Sequence, residues 1–223
     1  MQLVYAEGAC SLAVHIMLEE LAVPYEATKV SLHHNRKVLE SFNPRGYVPA
    51  LVLNDGTVLT EATSILQYLS ATHSDAYMPK NIEERAKCIE WLTFLSTEVH
   101  KGLTPFFAKK SPGEEYMAMI RQKIEKRLED MNNQLKDHAY LVGEMYSVAD
   151  MYALAILRLV EAVGISLDRY HGIQEYKQGL LQNPVIKRIL DKEKEEEEVT
   201  EVASYSTVKT QRGQEPPQPQ PTL

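Results

Sequence analysis

A thiol and two hydroxyl groups lie close together near the beginning of the chain. Cys10 stands between Gly8-Ala9 and a run of apolar residues at helical spacing, so the sequence places it at the start of a helix. Unpaired backbone N–H groups and the positive end of the helix dipole meet there, and both favour a thiolate. Tyr5 and Ser11 add hydroxyl groups near the same turn. The alternative interpretations are that Cys10 is a small buried apolar residue and that the two hydroxyl groups are structural.

The elements that must position this turn alternate between strands and helices. The sequence predicts a strand at residues 2–5, a helix at 11–21 and a strand at 25–32, an order that usually forms a parallel unit. Asn54-Asp55-Gly56 predicts a hairpin turn between two further strands. The remaining predicted elements of this region are a short polar helix at 35–41, the loop Asn43-Pro44-Arg45-Gly46, strands at 48–53 and 57–59, and a helix at 61–71.

The pattern changes after residue 82, where no strand signal appears and apolar residues recur at helical spacing. Ser147 and Asp150 form a Ser-x-x-Asp capping box at the start of one of the predicted helices. Residues 192–223 contain an acidic run and four prolines without apolar periodicity, which predicts a disordered tail. The predicted helices cover residues 82–103, 114–135, 147–163, 173–181 and 185–190, and the turn-rich segment 74–81 is the expected linker.

The composition argues against several classes of partner and site. The chain has 31 acidic residues and 24 Lys and Arg residues, a net charge of −7, so it offers no basic field for nucleic acid. It shows neither an apolar stretch as long as a membrane span nor a secretory signal, so a cytoplasmic protein is expected. Cys10 and Cys88 are too few for a disulfide framework. His33-His34 lacks a third ligand at metal-binding spacing, so no metal is expected.

Six motifs, taken in order, resemble those of the glutathione S-transferases. The first half contributes Tyr5 with Ala9-Cys10-Ser11, residues 43–51 (Asn-Pro-Arg-Gly-Tyr-Val-Pro-Ala-Leu) and residues 59–62 (Leu-Thr-Glu-Ala). The second half contributes Glu90-Trp91-Leu92, residues 97–102 (Thr-Glu-Val-His-Lys-Gly) and residues 147–150 (Ser-Val-Ala-Asp), which look like the bacterial beta class.

The likeness covers about residues 1–190 and implies a two-domain fold, α/β followed by all-α. The implied order is an N-terminal thioredoxin-like domain at 1–73, a linker at 74–81, a C-terminal helical bundle at 82–191 and the disordered tail at 192–223.

The resemblance also implies a glutathione site. Val48-Pro49 matches the family's cis-proline loop, where the backbone of the residue before proline pairs with the cysteinyl part of glutathione. Glu61 and Ala62 match positions that bind the γ-glutamyl end at a helix start. His100 and Lys101 match the beta-class pair whose histidine faces the glutathione sulfur and whose lysine attracts the peptide's carboxylates. The structural alternatives are an ordinary trans loop, an acid placed at a helix start, an interdomain histidine and a surface lysine.

Three positions depart from the family pattern. Asn35 aligns with the lysine that beta-class members offer to the glycyl carboxylate, with Arg36 and Lys37 as neighbouring substitutes. Thr93 aligns with a polar residue that the partner subunit supplies in that class. Ala62 offers only its backbone N–H where other members have a hydroxyl group.

The resemblance implies a homodimeric glutathione transferase that conjugates reduced glutathione, its cosubstrate, to apolar electrophilic molecules, a reaction of detoxification. Cys10, Ser11, Tyr5 and His100 are the groups expected beside the glutathione thiolate. Cys10 also suggests thiol–disulfide exchange or peroxide reduction as a second activity. Two alternatives stay open at this point: a non-catalytic binding protein that keeps the fold, and a tail that recruits a partner.

Overall fold

The computed structural model describes residues 1–32 and 36–197 of the chain. Within these ranges, a four-stranded sheet with three α-helices forms the first region, and five α-helices form the second. The predicted fold class, α/β followed by all-α, is therefore confirmed. The predicted positions 33–35, which include Asn35 and His33-His34, and the tail from residue 198 onward lie outside the described residues.

The sheet has the strand order β2-β1-β3-β4. β1 (Gln2–Tyr5) pairs in parallel with β2 (Glu26–Lys29), and α1 (Leu12–Glu20) connects them, as the alternating pattern predicts. β3 (Ala50–Val52) and β4 (Val58–Thr60) form the predicted antiparallel hairpin. Its turn has Gly56 at φ +86°, a conformation that glycine adopts without a steric penalty.

The two faces of the sheet are covered by different helices. Side chains of a strand alternate between faces, so Leu3 and Tyr5 join the core under α1 and α3 (Ala62–Thr72), which continues into the helical region. Val4 joins a smaller apolar cluster with α2 (Arg36–Phe42). The first core reaches α6 (Val148–Ala162), against which α1 packs. The two regions therefore share one continuous apolar interior.

The helical region is built around α6 (Val148–Ala162), which is almost entirely buried. The predicted capping box is present, because the Asp150 carboxylate accepts from the Ser147 backbone N–H at 2.8 Å and the Ser147 hydroxyl accepts from the helix backbone. The other helices are α4 (Ile82–Phe94), α5 (Glu114–Gln134), α7 (His171–Gln182) and α8 (Pro184–Glu195).

The predicted helix at 82–103 does not continue as a regular α-helix. After Phe94 the chain forms a π-helical segment at Leu95–His100 and then a 3₁₀ segment at Lys101–Phe107. Such changes of helical pitch are frequent at functional sites. Here the π-helical segment ends at His100.

The last helix is longer than the sequence predicts. α8 extends to Glu195, beyond the predicted end at residue 190 and into the segment predicted to be a disordered tail. The reason is tertiary: Glu193 is 2% exposed, and its carboxylate lies 2.8 Å from Nδ1 of the fully buried His15. Its backbone carbonyl also accepts from Lys29 Nζ at 2.6 Å. These contacts fix a charged segment that has no apolar periodicity.

Candidate active site

Cys10 lies in the turn between β1 and α1 and is 8% exposed. Its Sγ lies 3.7 Å from the backbone oxygen of Val48. Burial raises the pKa of Cys10 to about 12, its own backbone N–H opposes that rise, and Glu61 adds to it. The sequence expectation of a thiolate at this helix start is therefore corrected, because desolvation outweighs the helix-start donors. At neutral pH the Cys10 side chain is a thiol that can donate its proton to an acceptor.

The two hydroxyl groups predicted beside Cys10 have other partners. The Ser11 hydroxyl is fully buried and lies 3.2 Å from both the backbone nitrogen and the backbone oxygen of Ala6, so it stabilises the turn. The Tyr5 hydroxyl donates to the Glu196 carboxylate at the end of α8. Burial, followed by Glu196, raises the pKa of Tyr5. In this structure the hydroxyl groups of Ser11 and Tyr5 therefore hydrogen bond to protein groups, and their catalytic roles stay predictions.

The loop before β3 brings the Val48 backbone to Cys10. The Val48–Pro49 peptide bond is cis, as the family pattern implies. Asn43 holds the loop from within, since its side-chain amide donates to the Tyr47 backbone oxygen at 2.7 Å and its side-chain oxygen accepts from the Arg45 N–H at 3.1 Å. The backbone beside the proline therefore faces the thiol of Cys10.

Glu61 and Ala62 form the start of α3. Glu61 has φ +66°, a left-handed conformation that is uncommon for a residue with a side chain and that is often found at binding sites. Its carboxylate is exposed and accepts from the Tyr47 hydroxyl at 2.9 Å. Ala62 is buried and begins the helix. A carboxylate is therefore held beside the exposed N–H groups of a helix start.

His100 reaches the same region from the helical domain. Its Nδ1 lies 2.9 Å from the Tyr152 hydroxyl on α6, and the side chain is half-buried. Burial lowers the pKa of His100, Glu61 raises it and Lys101 lowers it further. The net reduction leaves the imidazole neutral at neutral pH. Because Glu61 influences both His100 and Cys10, the three groups share one electrostatic neighbourhood.

Tyr152 is the site residue that the sequence analysis missed. It is 2% exposed, and burial raises its pKa, with Cys10 and Glu61 adding to the effect. The signal in the sequence was a tyrosine on a helix that is otherwise apolar. A buried tyrosine hydroxyl needs a hydrogen-bond partner, so such a residue indicates a polar contact inside the fold. Tyr152 contacts His100 within the helical domain, and its phenol is within electrostatic range of Cys10 in the first domain.

Two other predicted site residues lie at the surface of the helical region. Lys101 is exposed, and its ammonium group has no ion-pair partner within the described part of the chain. Thr93 is exposed on α4 and donates to the Ile89 backbone oxygen at 2.8 Å. Among residues 1–32 and 36–197, no group of acidic, histidine and cysteine side chains could hold a metal ion.

Comparison with known proteins decides the family. Residues 8–72 match the N-terminal domain model of the glutathione S-transferases, and residues 94–184 match their C-terminal domain model. Glutathione S-transferase GstA of Escherichia coli O157:H7 is 40% identical over 201 residues, which cover 86% of this chain and 98% of the relative. This chain belongs to the glutathione S-transferase family.

Solved structures agree with this assignment. A sphingomonad glutathione S-transferase complexed with glutathione has a TM-score of 0.80 to this transferase at 31% identity, over 88% of this chain and 100% of that one. A beta class enzyme from Sphingomonas chungbukensis has a TM-score of 0.80 at 33% identity, over 86% and 98% of the two chains. Cys10, Val48 and Glu61 lie in the first matched region of this transferase, and His100 and Tyr152 lie in the second.

Within the described ranges, no helix of the transferase combines the length and the apolar character that crossing a membrane requires.

Proposed function

We propose that this transferase conjugates reduced glutathione to electrophilic small molecules, and that it belongs to the beta class. The observation that carries the proposal is the convergence of the Cys10 thiol, the Val48 backbone, the Glu61 carboxylate and the His100 imidazole between the two domains. Each group has a chemistry that suits one part of the tripeptide.

Glutathione is held by backbone and charged groups in this proposal. The backbone of Val48, beside cis Pro49, pairs with the cysteinyl part in the manner of an added strand. Glu61 pairs with the γ-glutamyl ammonium, and the N–H groups at Ala62 bind its carboxylate. Lys101, whose ammonium is free of ion pairs among the described residues, attracts the carboxylates of the peptide. The role proposed for Asn35 falls on a residue outside the described ranges.

The glutathione sulfur is activated by hydrogen-bond donors. The Cys10 thiol, whose pKa is raised to about 12, keeps its proton and donates it to the sulfur as a hydrogen bond. His100 adds a second donor from the helical domain. The thiolate then attacks an electrophilic carbon, a carbon–sulfur bond forms, and the electron pair leaves with the displaced group or moves onto the electrophile. Cys10 is not consumed in this reaction.

Conjugation is favoured over the redox chemistry that Cys10 suggested. Thiol–disulfide exchange proceeds through the thiolate of the attacking residue, and its rate falls with the thiolate fraction. Burial keeps that fraction small at Cys10. A hydrogen-bond donor, by contrast, needs the protonated form that burial favours.

The electrophile binds beside the site, against apolar residues of the helical domain. The 3₁₀ segment Lys101–Phe107 supplies half-buried Phe106, which packs under the guanidinium of Arg121 at 5.6 Å, and exposed Phe107. Such a surface suits apolar compounds, which agrees with a role in detoxification.

A homodimer is part of the same proposal. α4 presents Ile82 and Ile89 at 70% and 37% exposure, and β4 presents Val58 at 40%. Thr93 lies on α4 beyond Ile89, where it can contribute a hydroxyl group to the partner's site. Light scattering coupled to size-exclusion chromatography measures the mass, and a single-chain mass would contradict the dimer.

Calorimetric titration with reduced glutathione tests the binding site. We expect saturable binding in the millimolar range or tighter, weakened about tenfold to a hundredfold by Glu61→Ala, because a hydrogen-bonded charge pair contributes roughly 1.5 to 3 kcal/mol. Glu83→Ala is the matched control, since Glu83 is another exposed carboxylate in the first turn of a helix.

A conjugation assay with a panel of electrophiles completes the test. Product formation supports the transferase. Binding without product across the panel would support a non-catalytic binding protein, and absence of binding at millimolar glutathione would overturn the site.

A further inference from the structure

The hydroxyl group of Tyr152 is a buried polar atom on an apolar helix. The side chain is 2% exposed and its neighbours on α6 are apolar and buried. Its hydroxyl lies 2.9 Å from Nδ1 of His100, which is 52 residues away in sequence. The two rings meet edge to face, with an interplanar angle of 73°. Within the described ranges, this is the one hydrogen bond found for the Tyr152 hydroxyl by distance and angle.

The direction of this hydrogen bond follows from what each group can donate. A buried hydroxyl group that merely accepted from Nδ1–H would leave its own proton without an acceptor, which is costly. Tyr152 therefore donates its proton to Nδ1. Since a neutral imidazole carries one proton, that of His100 lies on Nε2.

The second ring nitrogen of His100 is available to a ligand. No described residue hydrogen bonds to Nε2, and the side chain is half-buried. Glu61 acts electrostatically on His100, and Cys10 acts on Tyr152. A ligand bound beside Cys10 and Glu61 is therefore within electrostatic range of this pair, and Nε2 is the ring nitrogen that it can bind.

We propose that Tyr152 is a positioning residue for the transferase reaction: its hydroxyl holds His100 as the Nε2–H tautomer, so that Nε2–H donates to the glutathione sulfur. The inference rests on the proposed function. It assigns to Tyr152 a role that acts through His100 and needs no contact with glutathione.

The tautomer matters because the two nitrogens present opposite chemistry. With the proton on Nε2, His100 offers a donor to a thiolate. With the proton on Nδ1, Nε2 offers a lone pair, which repels the same sulfur. Without the Tyr152 hydroxyl, the imidazole is divided between both forms, so the thiolate is less stabilised.

Tyr152→Phe removes the hydroxyl group alone and keeps the buried ring. We expect kcat/KM to fall about five- to tenfold at neutral pH, which is the scale of one lost hydrogen bond. The KM for glutathione should change little, and the ultraviolet titration of the bound thiolate should shift to higher pH. Tyr77→Phe is the matched control, because its hydroxyl donates to Glu20 at 3.0 Å and lies outside the proposed site. It should leave the thiolate titration unchanged.

Nitrogen-15 NMR of the histidine side chains in the free protein tests the tautomer without any reaction. We expect the Nε2–H pattern for His100 in the unsubstituted protein and a tautomer mixture in Tyr152→Phe, with His100→Gln identifying the signals. An Nδ1–H pattern in the unsubstituted protein would overturn the inference. An unchanged thiolate titration in folded Tyr152→Phe would overturn it also. Failure of the proposed function is distinct: no conjugation would occur, and the NMR pattern would still decide the tautomer.

Discussion

Two histidines of this transferase use the same ring nitrogen in different surroundings. His100, at the boundary of the two domains, bonds through Nδ1 to the neutral phenol of Tyr152 at 2.9 Å. His15, fully buried in α1, bonds through Nδ1 to the carboxylate of Glu193 at 2.8 Å. The neutral partner of His100 leaves that histidine able to donate to a ligand. The carboxylate partner of His15 belongs to α8, so this pair holds α8 against α1.

The surroundings of His15 form a network that involves both ends of the chain. Its ring lies 4.8 Å from that of Tyr5, whose hydroxyl donates to Glu196. Lys29 donates to the Glu193 backbone oxygen and pairs with Glu7 at 2.9 Å. Burial raises the pKa of Glu193, and His15 opposes that rise. The Nε2 atom of His15 is buried without a hydrogen-bond partner in the described part of the chain. This network joins β1, α1 and β2 to the end of α8 and so stabilises the fold.

The largest expected effect follows from breaking the buried pair. Glu193→Ala should lower the free energy of unfolding by about 3 to 5 kcal/mol, because it leaves His15 buried without its partner. Glu195→Ala, an exposed neighbour on the same helix, should change it by less than about 0.5 kcal/mol. Urea denaturation followed by circular dichroism measures both. Equal stability of the two variants would mean that the His15–Glu193 pair does not fix α8.

Substituting each histidine in turn separates catalysis from stability. His100→Gln should lower kcat/KM about tenfold to a hundredfold, because a hydrogen bond to a charged sulfur is lost. His15→Gln should leave kcat/KM of the folded protein nearly unchanged and lower the free energy of unfolding by about 1 to 3 kcal/mol. Steady-state kinetics together with denaturation gives both quantities. The comparison fails if the two variants lose activity equally.

The smallest expected effect is the contribution of His100 to the pH dependence of the free energy of unfolding. Its pKa is lowered from the ordinary value of 6.5 in the folded state, mainly by burial. Above 6.5 the folded and unfolded forms are both neutral. As the pH falls through 6.5, the unfolded chain binds a proton that the folded chain resists, so stability is lost. The difference in unfolding free energy between the unsubstituted protein and His100→Gln should therefore fall on acidification. A difference that stayed constant would contradict the lowered pKa.

Local sequence signals predicted much of the fold. The parallel unit of β1, α1 and β2, the Asp55-Gly56 hairpin and the Ser147–Asp150 capping box depend on hydrogen bonds and periodicity among near neighbours. The family motifs also anticipated the cis bond at Val48–Pro49. The sequence could predict these features because the periodicity, turn and cap signals act within single elements or between residues a few positions apart, and the family motifs added the rest.

Only the tertiary structure decided which side chains are charged, which are buried and which can bind a ligand. Burial and the packing of distant segments keep Cys10 a thiol, turn Tyr5 toward Glu196 and extend α8 through Glu193. His15 and Glu193 are 178 residues apart, and His100 and Tyr152 are 52 apart. Desolvation and hydrogen bonding depend on such neighbours in space, which the order of residues along the chain does not reveal.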